Sequence, residues 1–204
     1  MVGIINYNIG NLASVYNALS RVGADARIEQ NPKNLAQYSH LILPGVGAFG
    51  DAMANLEESG MGEAILEFIK TGKSVLGICL GMQLLFEKSY EFGEHTGLGV
   101  IEGEVVPFSV ERLKEGEKIP HMGWNRMHIL REDRLFRGIS SEPYLYFVHS
   151  FHALCKNRAD VLGETHYGYD FVSAILHENV AGFQPHPEKS HEAGLRVLKN
   201  FCES

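Results

Sequence analysis

The alternation of short apolar runs with amphipathic helical segments is the feature that most constrains how this chain can fold. Val2–Ile5, the segment HLILP at position 40 and the segment SVLGI at position 74 are four or five residues long and mostly apolar on both faces, which is typical of buried strands. Helical spacing of apolar residues follows in two stretches, namely Leu12, Val15, Tyr16 and Leu19, and Met61, Ala64, Ile65, Phe68 and Ile69. Because strands that are apolar on both faces need helices on both sides, we predict a mostly parallel central sheet flanked by helices.

The second half of the chain has a different pattern. The segments GEVVPF, YLYFVHS, DFVSAILH and VAGF are short, strand-like and closely spaced, which indicates antiparallel strands added to the parallel core. The final segment predicts a helix with Ser190 as its N-cap and with Leu195, Leu198 and Phe201 or Cys202 on one face. The charged run at 111–118 indicates a surface loop, so we expect a single α/β domain over residues 1–204.

Composition excludes several classes of function. The chain has 18 basic and 25 acidic residues, a net charge of −7 and no basic cluster, which disfavours nucleic acid as a partner. Its three cysteines have no framework spacing, which favours a reducing compartment. The N-terminal segment does not resemble a signal peptide, and the apolar stretch around 75–86 is too short and broken to span a bilayer. We therefore expect a cytoplasmic protein that binds neither nucleic acid nor membrane.

The segment SVLGICLGMQLLF predicts a strand, a sharp turn at Cys79 and a helix. This is the pattern of a nucleophile elbow, in which the nucleophile has a strained backbone conformation. Gly77 and Gly81 lie two residues to either side of it, where larger side chains would clash. The start of the following helix favours a thiolate, and the Leu80 N–H group is placed to stabilise an oxyanion. The alternative is a buried structural cysteine, and the motif alone leaves both open.

A nucleophilic cysteine needs a base and a group that orients the base. The segment QPHPEKS supplies His186 and Glu188, which share a face if the segment is extended. Pro187 favours an extended conformation at the residue before it. His186 is therefore the candidate base, and Glu188 the carboxylate that fixes its tautomer. The alternative is a solvated loop in which the histidine and the glutamate are incidental.

The segment PGVGAFG contains the pattern G-x-G-x-x-G within residues 45–50, after a strand and before a helix. A dinucleotide-binding loop also needs an acidic residue at the end of the next strand, and the corresponding distance falls within a helix here, near Glu67. We favour a backbone loop beside Cys79, whose N–H groups at Val46 or Gly47 face a substrate carbonyl. A nucleotide-binding module is the alternative function from another class.

The remaining candidates predict no metal site. His149 and His152 are three apart in a strand-like segment, so we expect them on opposite faces, where they would chelate poorly. Cys155 and Cys202 fit core or surface positions. Trp124 lies in the segment PHMGWN; a lone tryptophan is most often part of the core, and tryptophan is also enriched at interfaces.

Five segments together, GICLGMQLLFE, LPGVGAF, PHMGWN, YFVHS and HPEKS, resemble the class I (triad) glutamine amidotransferases. More narrowly, the chain is similar to the family of glutaminase subunits of imidazole glycerol phosphate synthases. The resemblance covers essentially the whole chain and implies a flavodoxin-like α/β fold, with Cys79, His186 and Glu188 as the catalytic triad. The substrate-binding and oxyanion residues that it implies are Gly45, Val46, Gly47, Leu80, Gln83, Glu91, Ser150 and Phe151.

The same resemblance implies the reaction. Cys79 forms a thioester with glutamine, which is hydrolysed to glutamate, and the ammonia passes to a cyclase subunit with a (β/α)8 barrel that makes imidazole glycerol phosphate in histidine biosynthesis. In that heterodimer Trp124, Asn125 and Tyr146 would lie near the partner, and the glutaminase half-reaction would need no metal or organic cofactor. Two alternatives stay open, a glutaminase partner of a related barrel synthase acting on another acceptor such as a surface sugar, and a catalytically silent partner protein.

Three segments depart from the common family pattern without removing a catalytic group. Pro185 precedes the candidate base where phenylalanine is usual. Asn6 and Asn8 stand in NYNIGN where DYGMGN is more typical, and YFVHSF has serine and phenylalanine where threonine or serine and tyrosine are common.

Overall fold

The computed structural model describes residues 1–204 and contains five α-helices and thirteen strands. The helices are α1 Leu12–Arg21, α2 Phe49–Glu58, α3 Met61–Lys70, α4 Leu80–Leu84 and α5 His191–Cys202. The strands are β1 Val2–Ile5, β2 Ala26–Glu29, β3 His40–Leu43, β4 Ser74–Ile78, β5 Phe86–Ser89, β6 His95–Thr96, β7 Ile101–Pro107, β8 His121–Ile129, β9 Tyr144–His149, β10 Phe151–Cys155, β11 Val161–Tyr167, β12 Tyr169–His177 and β13 Val180–Phe183. No helix combines the length and the apolar character needed to cross a membrane.

Five parallel strands form the centre of the sheet, in the order β2-β1-β3-β4-β13. All four contacts between neighbours in this set are parallel. At the carboxyl end of β4, Gly77 pairs with Leu43 on one side and with Gly182 on the other. The residue that follows β4 is therefore held between two neighbouring strands, at the edge of a parallel sheet where α/β proteins bind their ligands.

Helices cover both faces of this parallel centre, as the apolar runs predict. Alternate residues of β3 belong to different buried clusters. Leu41 packs in one cluster with Phe49 of α2 and Ile65 of α3, and Ile42 packs in the other with Leu19 of α1. The burial of both faces explains why these strands are apolar throughout and do not alternate with polar residues.

Some residues of the predicted helical stripes are less buried than their spacing suggests. Tyr16 is 41% exposed, whereas Val15 and Leu19 of the same helix are buried. Leu195 of α5 is only half-buried, and the buried face of that helix includes Val197 instead. Spacing alone predicts a helix but not the angle at which the helix meets the sheet, and that angle decides which residues at the margin of the stripe are covered.

The antiparallel part of the sheet begins at β12, which pairs antiparallel with β13. VAGF is β13, which is antiparallel to β12 as predicted but also parallel to β4, so this strand joins the two parts of the sheet. GEVVPF contributes to β7, which is antiparallel to β10 but parallel to β5. An apolar run specifies burial and not direction, so the sequence pattern could not distinguish these arrangements.

The turn from β4 into α4 is packed without space for side chains. A Cβ atom on Gly81 would lie 1.8 Å from the carbonyl oxygen of Leu43, and one on Gly77 would lie 2.7 Å from the carbonyl oxygen of Gly81. Both obstacles are backbone atoms, which cannot rotate away as a side chain can. The two glycines therefore allow α4 to start directly against β3, as the elbow motif predicts.

We expect Gly81→Ala to destabilise the fold by roughly 3 kcal/mol or more, because an extra methyl group in a packed interior forces the backbone to shift. Gly62→Ala is the matched control, since a Cβ atom at this buried helical position would lie 3.6 Å from Leu98, at ordinary contact distance. That control should be neutral or slightly stabilising, because alanine favours helices. Urea unfolding midpoints measure both, and equal midpoints would contradict the packing argument.

Candidate active site

Cys79 has the strained backbone that the elbow motif predicts. Its φ of 53° and ψ of −111° lie outside the regions that non-glycine residues usually adopt. The conformation is held by neighbours on both sides, since the N–H group of Cys79 donates to the carbonyl of Phe183 at 2.7 Å. The thiol is 6% exposed, and its sulfur lies 3.9 Å from the carbonyl oxygen of Val148.

The helix after Cys79 is shorter than the sequence indicates. α4 has five residues, so it has little macrodipole to stabilise a thiolate. Stabilisation of an anion at this position therefore depends on nearby N–H groups. Leu80 is the first residue of α4, and its N–H group has no acceptor within the helix. An anion near Cys79 would therefore be stabilised by individual N–H groups and not by a long helix.

His186 and Glu188 are in direct contact. Nδ1 of His186 lies 2.7 Å from Oε1 of Glu188, and both side chains are 2% exposed. Because a carboxylate accepts, Nδ1–H is the donor. His186 has an extended backbone as predicted, but Pro187–Lys189 form a 3-10 turn, so the expectation of one continuous extended segment was wrong. The contact results from a turn that folds Glu188 back onto the ring, and Pro185 on the other side of His186 does not prevent it.

Strand β9 holds the histidine segment through two hydrogen bonds, and a third closes the segment on itself. The His186 N–H group donates to the Tyr146 carbonyl at 2.8 Å, and the Tyr146 N–H group donates to Oγ of Ser190 at 2.9 Å. Oγ of Ser190 in turn donates to the carbonyl of His186 at 2.6 Å. Ser190 precedes α5 as predicted but makes no capping hydrogen bond, because its hydroxyl is used to attach this turn to β9.

The environment of His186 favours its charged form. Burial by itself lowers the pKa of His186, but the neighbouring Cys79 and the hydrogen-bonded carboxylate of Glu188 outweigh this effect and raise the pKa to about 10. Nε2 of His186 has no hydrogen-bond partner of its own at ordinary distance, and neither has Oε2 of Glu188. A buried imidazole nitrogen without a strong partner, beside a thiol, is suited to exchange a proton with that thiol or with a bound substrate.

A cleft of 330 Å³ opens at Cys79. Its lining consists of Val46, Gly47, Cys79, Leu80, Gln83, Glu91, Val148, His149, Ser150, Phe151 and His186. Seven of the eight substrate and oxyanion residues that the family resemblance implies are in this set. The exception is Gly45, which lies behind the wall: a Cβ atom there would lie 2.7 Å from the hydroxyl of Tyr7 and 2.9 Å from Cβ of Leu80.

Gln83 is fixed by two acceptors. Its Nε2 group donates to the carbonyl of Phe151 at 3.0 Å and to Oε1 of Gln184 at 2.9 Å. Nε2 of Gln184 lies 3.7 Å from the sulfur of Cys79, so Gln184 joins the nucleophile to the wall of the cleft. No motif in the sequence predicts a role for Gln184. Its signal is a glutamine directly after the wholly apolar strand β13, at a position that is completely buried.

Glu91 lies in the cleft and also stabilises the start of α2. Its Oε2 atom accepts a hydrogen bond from the N–H group of Phe49 at 2.7 Å. In a dinucleotide-binding loop the pyrophosphate occupies the corresponding helix N-terminus. Here a carboxylate is already present and would repel a phosphate group. The nucleotide-binding alternative therefore does not fit this loop, although the glycine pattern is present.

The three residues that the resemblance assigns to a partner interface lie outside the cleft. Trp124 and Tyr146 are cross-strand neighbours on β8 and β9, and their rings meet edge to face at 6.1 Å. Trp124 is 44% exposed and stacks on His191 at 4.8 Å. Asn125 is half-buried next to it. Trp124 is thus a surface residue and not part of the core.

The histidine pair considered for a metal is not arranged as the sequence predicts. His149 ends β9 and His152 lies in β10, and the break at Ser150 brings both rings against Phe108, at 5.2 and 4.9 Å. The expectation of opposite faces was therefore wrong, because the segment is two strands and not one. His149 lines the cleft, a position that the sequence analysis did not assign to it.

The raised pKa of His186 predicts how stability depends on pH. The folded state retains a proton between the ordinary value of 6.5 and the raised value of about 10. The stabilisation is complete below the lower value and is lost as the pH rises toward the upper one, by up to about 1.4 kcal/mol per pH unit. His186→Gln should remove this part of the slope in urea unfolding experiments. Parallel slopes for the two proteins would contradict the prediction.

Comparison with known proteins gives the family. The family model for class-I glutamine amidotransferases matches residues 4–204 of this chain. Imidazole glycerol phosphate synthase subunit HisH from Wolinella succinogenes is 68% identical over 203 residues, which cover 100% of this chain and 99% of that protein. The protein of the same name from Sulfurimonas denitrificans is 59% identical over 203 residues, covering 100% of this chain and 98% of that protein.

Solved structures support the fold independently. PurLQS from Thermotoga maritima matches with a TM-score of 0.78 at 20% identity, over 99% of this chain and 97% of that chain. A glutamine amidotransferase matches with a TM-score of 0.74 at 18% identity, over 100% and 99% of the two chains. The predicted α/β fold is confirmed. This chain belongs to the class-I glutamine amidotransferases and, within them, to the family of the HisH subunit of imidazole glycerol phosphate synthase.

Proposed function

We propose that this chain is the glutaminase subunit of an imidazole glycerol phosphate synthase, which hydrolyses glutamine and supplies ammonia for histidine biosynthesis. The observation that carries the proposal is a cleft containing a cysteine on a strained turn and a histidine whose Nδ1 lies 2.7 Å from a buried carboxylate. Identity over the whole chain to subunits of that synthase supports this acceptor over a surface sugar. We place the reaction in the cytoplasm, where the three free cysteines would stay reduced.

The first half of the reaction forms a thioester. The sulfur of Cys79 attacks the side-chain carbonyl carbon of glutamine, and a carbon–sulfur bond forms while the carbonyl electrons move to oxygen. N–H groups of Leu80, Val46 and Gly47 stabilise this oxyanion. The intermediate then collapses and the carbon–nitrogen bond breaks. The imidazolium of His186 gives its Nε2 proton to the departing ammonia, which leaves a γ-glutamyl thioester on the enzyme.

The second half consumes water. The neutral Nε2 atom of His186 takes a proton from a water molecule, which attacks the thioester and releases glutamate and the thiolate. Glu188 keeps the ring oriented and stabilises the imidazolium each time it forms. The raised pKa of His186 fits this cycle, because the ring is then protonated near neutral pH and can give its proton to the departing ammonia.

The cleft has acceptors for the α-ammonium group of glutamine. The Oε1 atom of Gln83 and the second carboxylate oxygen of Glu91 are acceptors for the α-ammonium group, since the other polar atom of each side chain is already bonded within the protein. Backbone groups of Ser150 and Phe151 form the facing wall. We propose that residues 1–204 act as one amidotransferase domain, because both halves of the continuous sheet contribute to this cleft.

Replacing Cys79 with alanine tests the division of labour in the complex. Cys79→Ala should abolish glutamine-dependent synthesis and leave ammonia-dependent synthesis intact, because only the first uses the thiol. Cys202→Ala is the matched control at a half-buried cysteine outside the cleft, and it should retain both activities. Product formation is measured with glutamine and with ammonium as the nitrogen source. Loss of both activities in Cys79→Ala would contradict the proposal.

The relatives are named as subunits of a synthase, which implies a second polypeptide in that enzyme. We propose a (β/α)8 barrel as the partner of this chain and the part of β8 and β9 that carries Trp124, Asn125 and Tyr146 as the region it meets, with Trp124 and Tyr146 on the exposed side. A half-exposed tryptophan stacked on a histidine is a rigid aromatic group of the kind that anchors interfaces.

Trp124→Ala should weaken the complex about 10-fold to 100-fold, as expected for an interface hot spot. Leu154→Ala is the matched control, because Leu154 is 45% exposed and lies on β10, outside this region. Titration of the partner subunit against each variant gives the dissociation constants. Equal constants for the two variants would place the partner elsewhere on the surface.

A further inference from the structure

His149 is a buried group in the cleft that the proposed mechanism does not use. Its Nδ1 lies 2.8 Å from the carbonyl oxygen of Phe151, and its Nε2 lies 3.1 Å from Nδ1 of His121. The ring is almost completely buried, so both nitrogen atoms depend on these protein partners. A lining residue with both nitrogens occupied is arranged to hold a neighbour in place.

The carbonyl at one end determines the direction of the hydrogen bonds. A carbonyl only accepts, so Nδ1 of His149 carries the proton. Burial lowers the pKa of His149 well below its ordinary value, and the ring is therefore neutral. Nε2 of His149 is then an acceptor, and Nδ1–H of His121 must be its donor. Burial also lowers the pKa of His121, to about 4, which leaves Nε2 of His121 as an acceptor.

The hydrogen bonds of Asn125, at the other end, have a direction that agrees with this assignment. Oδ1 of Asn125 accepts from the N–H group of Arg126 at 2.8 Å, which fixes the orientation of the side-chain amide. Nδ2 of Asn125 donates to the carbonyl of His166 at 2.9 Å and approaches Nε2 of His121 at 3.2 Å. Every donor in this arrangement faces an acceptor, from the amide of Asn125 to the carbonyl of Phe151.

We infer that Asn125, His121 and His149 are positioning residues for the substrate glutamine. Their hydrogen bonds all run in one direction, and the last of them holds the carbonyl group of Phe151 in place. We call these three side chains the amide–imidazole chain. That same carbonyl accepts from Nε2 of Gln83, at 3.0 Å, so the chain and Gln83 together fix the wall that meets the α-amino end of the substrate. The inference rests on the proposed glutaminase function.

The packing around the chain prevents the rings from turning. His121 is stacked between Phe147, at 4.9 Å and 29°, and Tyr167, at 4.1 Å and 30°. Its position on β8 also matters. Asn125 follows Trp124 on β8, but neighbouring side chains of a strand point to opposite faces, so the amide of Asn125 lies on the side of His121, behind the proposed partner surface. The amide–imidazole chain thus runs from behind that surface to Phe151 in the cleft without using the catalytic triad.

Few titratable groups face the amide–imidazole chain. The carboxylate that acts on His121 is Glu117, and the hydroxyl-bearing ring stacked on it is Tyr167. The groups that act on His149 are His121, His152 and His186. The charge of His121 therefore changes only if a new charged group is placed beside it, and Asn125→Asp introduces a carboxylate there.

The first test removes the donor and keeps the stacking. In the complex, at saturating partner, His121→Phe should raise the KM for glutamine about tenfold and change kcat less than about threefold, because a buried acceptor on His149 loses its partner. His121→Asn is the conservative control, because its amide can replace Nδ1–H, and it should restore most of the loss. An unchanged KM in a folded His121→Phe variant would overturn the inference.

The second test reverses the polarity at the far end. Asn125→Asp offers an acceptor to Nε2 of His121, so the chain can persist only while His121 is doubly protonated. The KM for glutamine should then be low below the new pKa of His121 and rise above it, whereas the KM of the wild type should not follow this titration. A pH-independent KM in Asn125→Asp would overturn the inference.

Two further measurements keep the outcome clear. Nitrogen-15 spectra of the wild-type imidazoles should identify His149 as the Nδ1–H tautomer, and the Nε2–H tautomer would overturn the inference even if His121→Phe does not fold. Ammonia-dependent synthesis at saturating partner should be unchanged in His121→Phe and His121→Asn. If the wild-type complex released no glutamate from glutamine, the proposed function would fail, whereas normal wild-type release with unaffected variants would refute only the positioning role.

Discussion

The site depends on the backbone conformation of Cys79. That conformation costs free energy, since a non-glycine residue has a positive φ there, and it persists only because its surroundings permit no other. Gly81 meets the Leu43 carbonyl without space for a methyl group, and the N–H group of Cys79 is bonded to the carbonyl of Phe183. The thiol is thus presented at the carboxyl edge of the sheet by contacts between backbones, which are stiffer than any contact between side chains.

The two halves of the sheet make different contributions to the site. The parallel half presents the nucleophile, because β3, β4 and β13 end at the same edge. The antiparallel half supplies the wall of the cleft and the support of the base, because β9 is hydrogen-bonded to the turn that carries His186 and Glu188. Each of these strands is short, and the site is assembled only when β13 joins the parallel set to β12.

Burial does not give the histidines of this region the same charge. His186 is buried and yet has a raised pKa, because a carboxylate and a thiol are its neighbours. His149 and His121 are also buried, but their neighbours are a carbonyl group, an amide and other rings, so their pKa values are lowered. A protein can therefore hold a charged imidazole for proton transfer and neutral imidazoles for directed hydrogen bonds within one small volume.

Features with a local cause could be predicted from the residues alone: the buried strands, the strained turn between Gly77 and Gly81, and the neighbourhood of His186 and Glu188. Three other features depend on how distant elements pack: the direction of β13, the bond from Phe49 to Glu91 and the bond from Gln83 to Gln184. These last two pairs are 42 and 101 positions apart in the chain. Hydrophobic spacing specifies which face of an element is buried, but not which element covers it, and polar partners follow from that second choice.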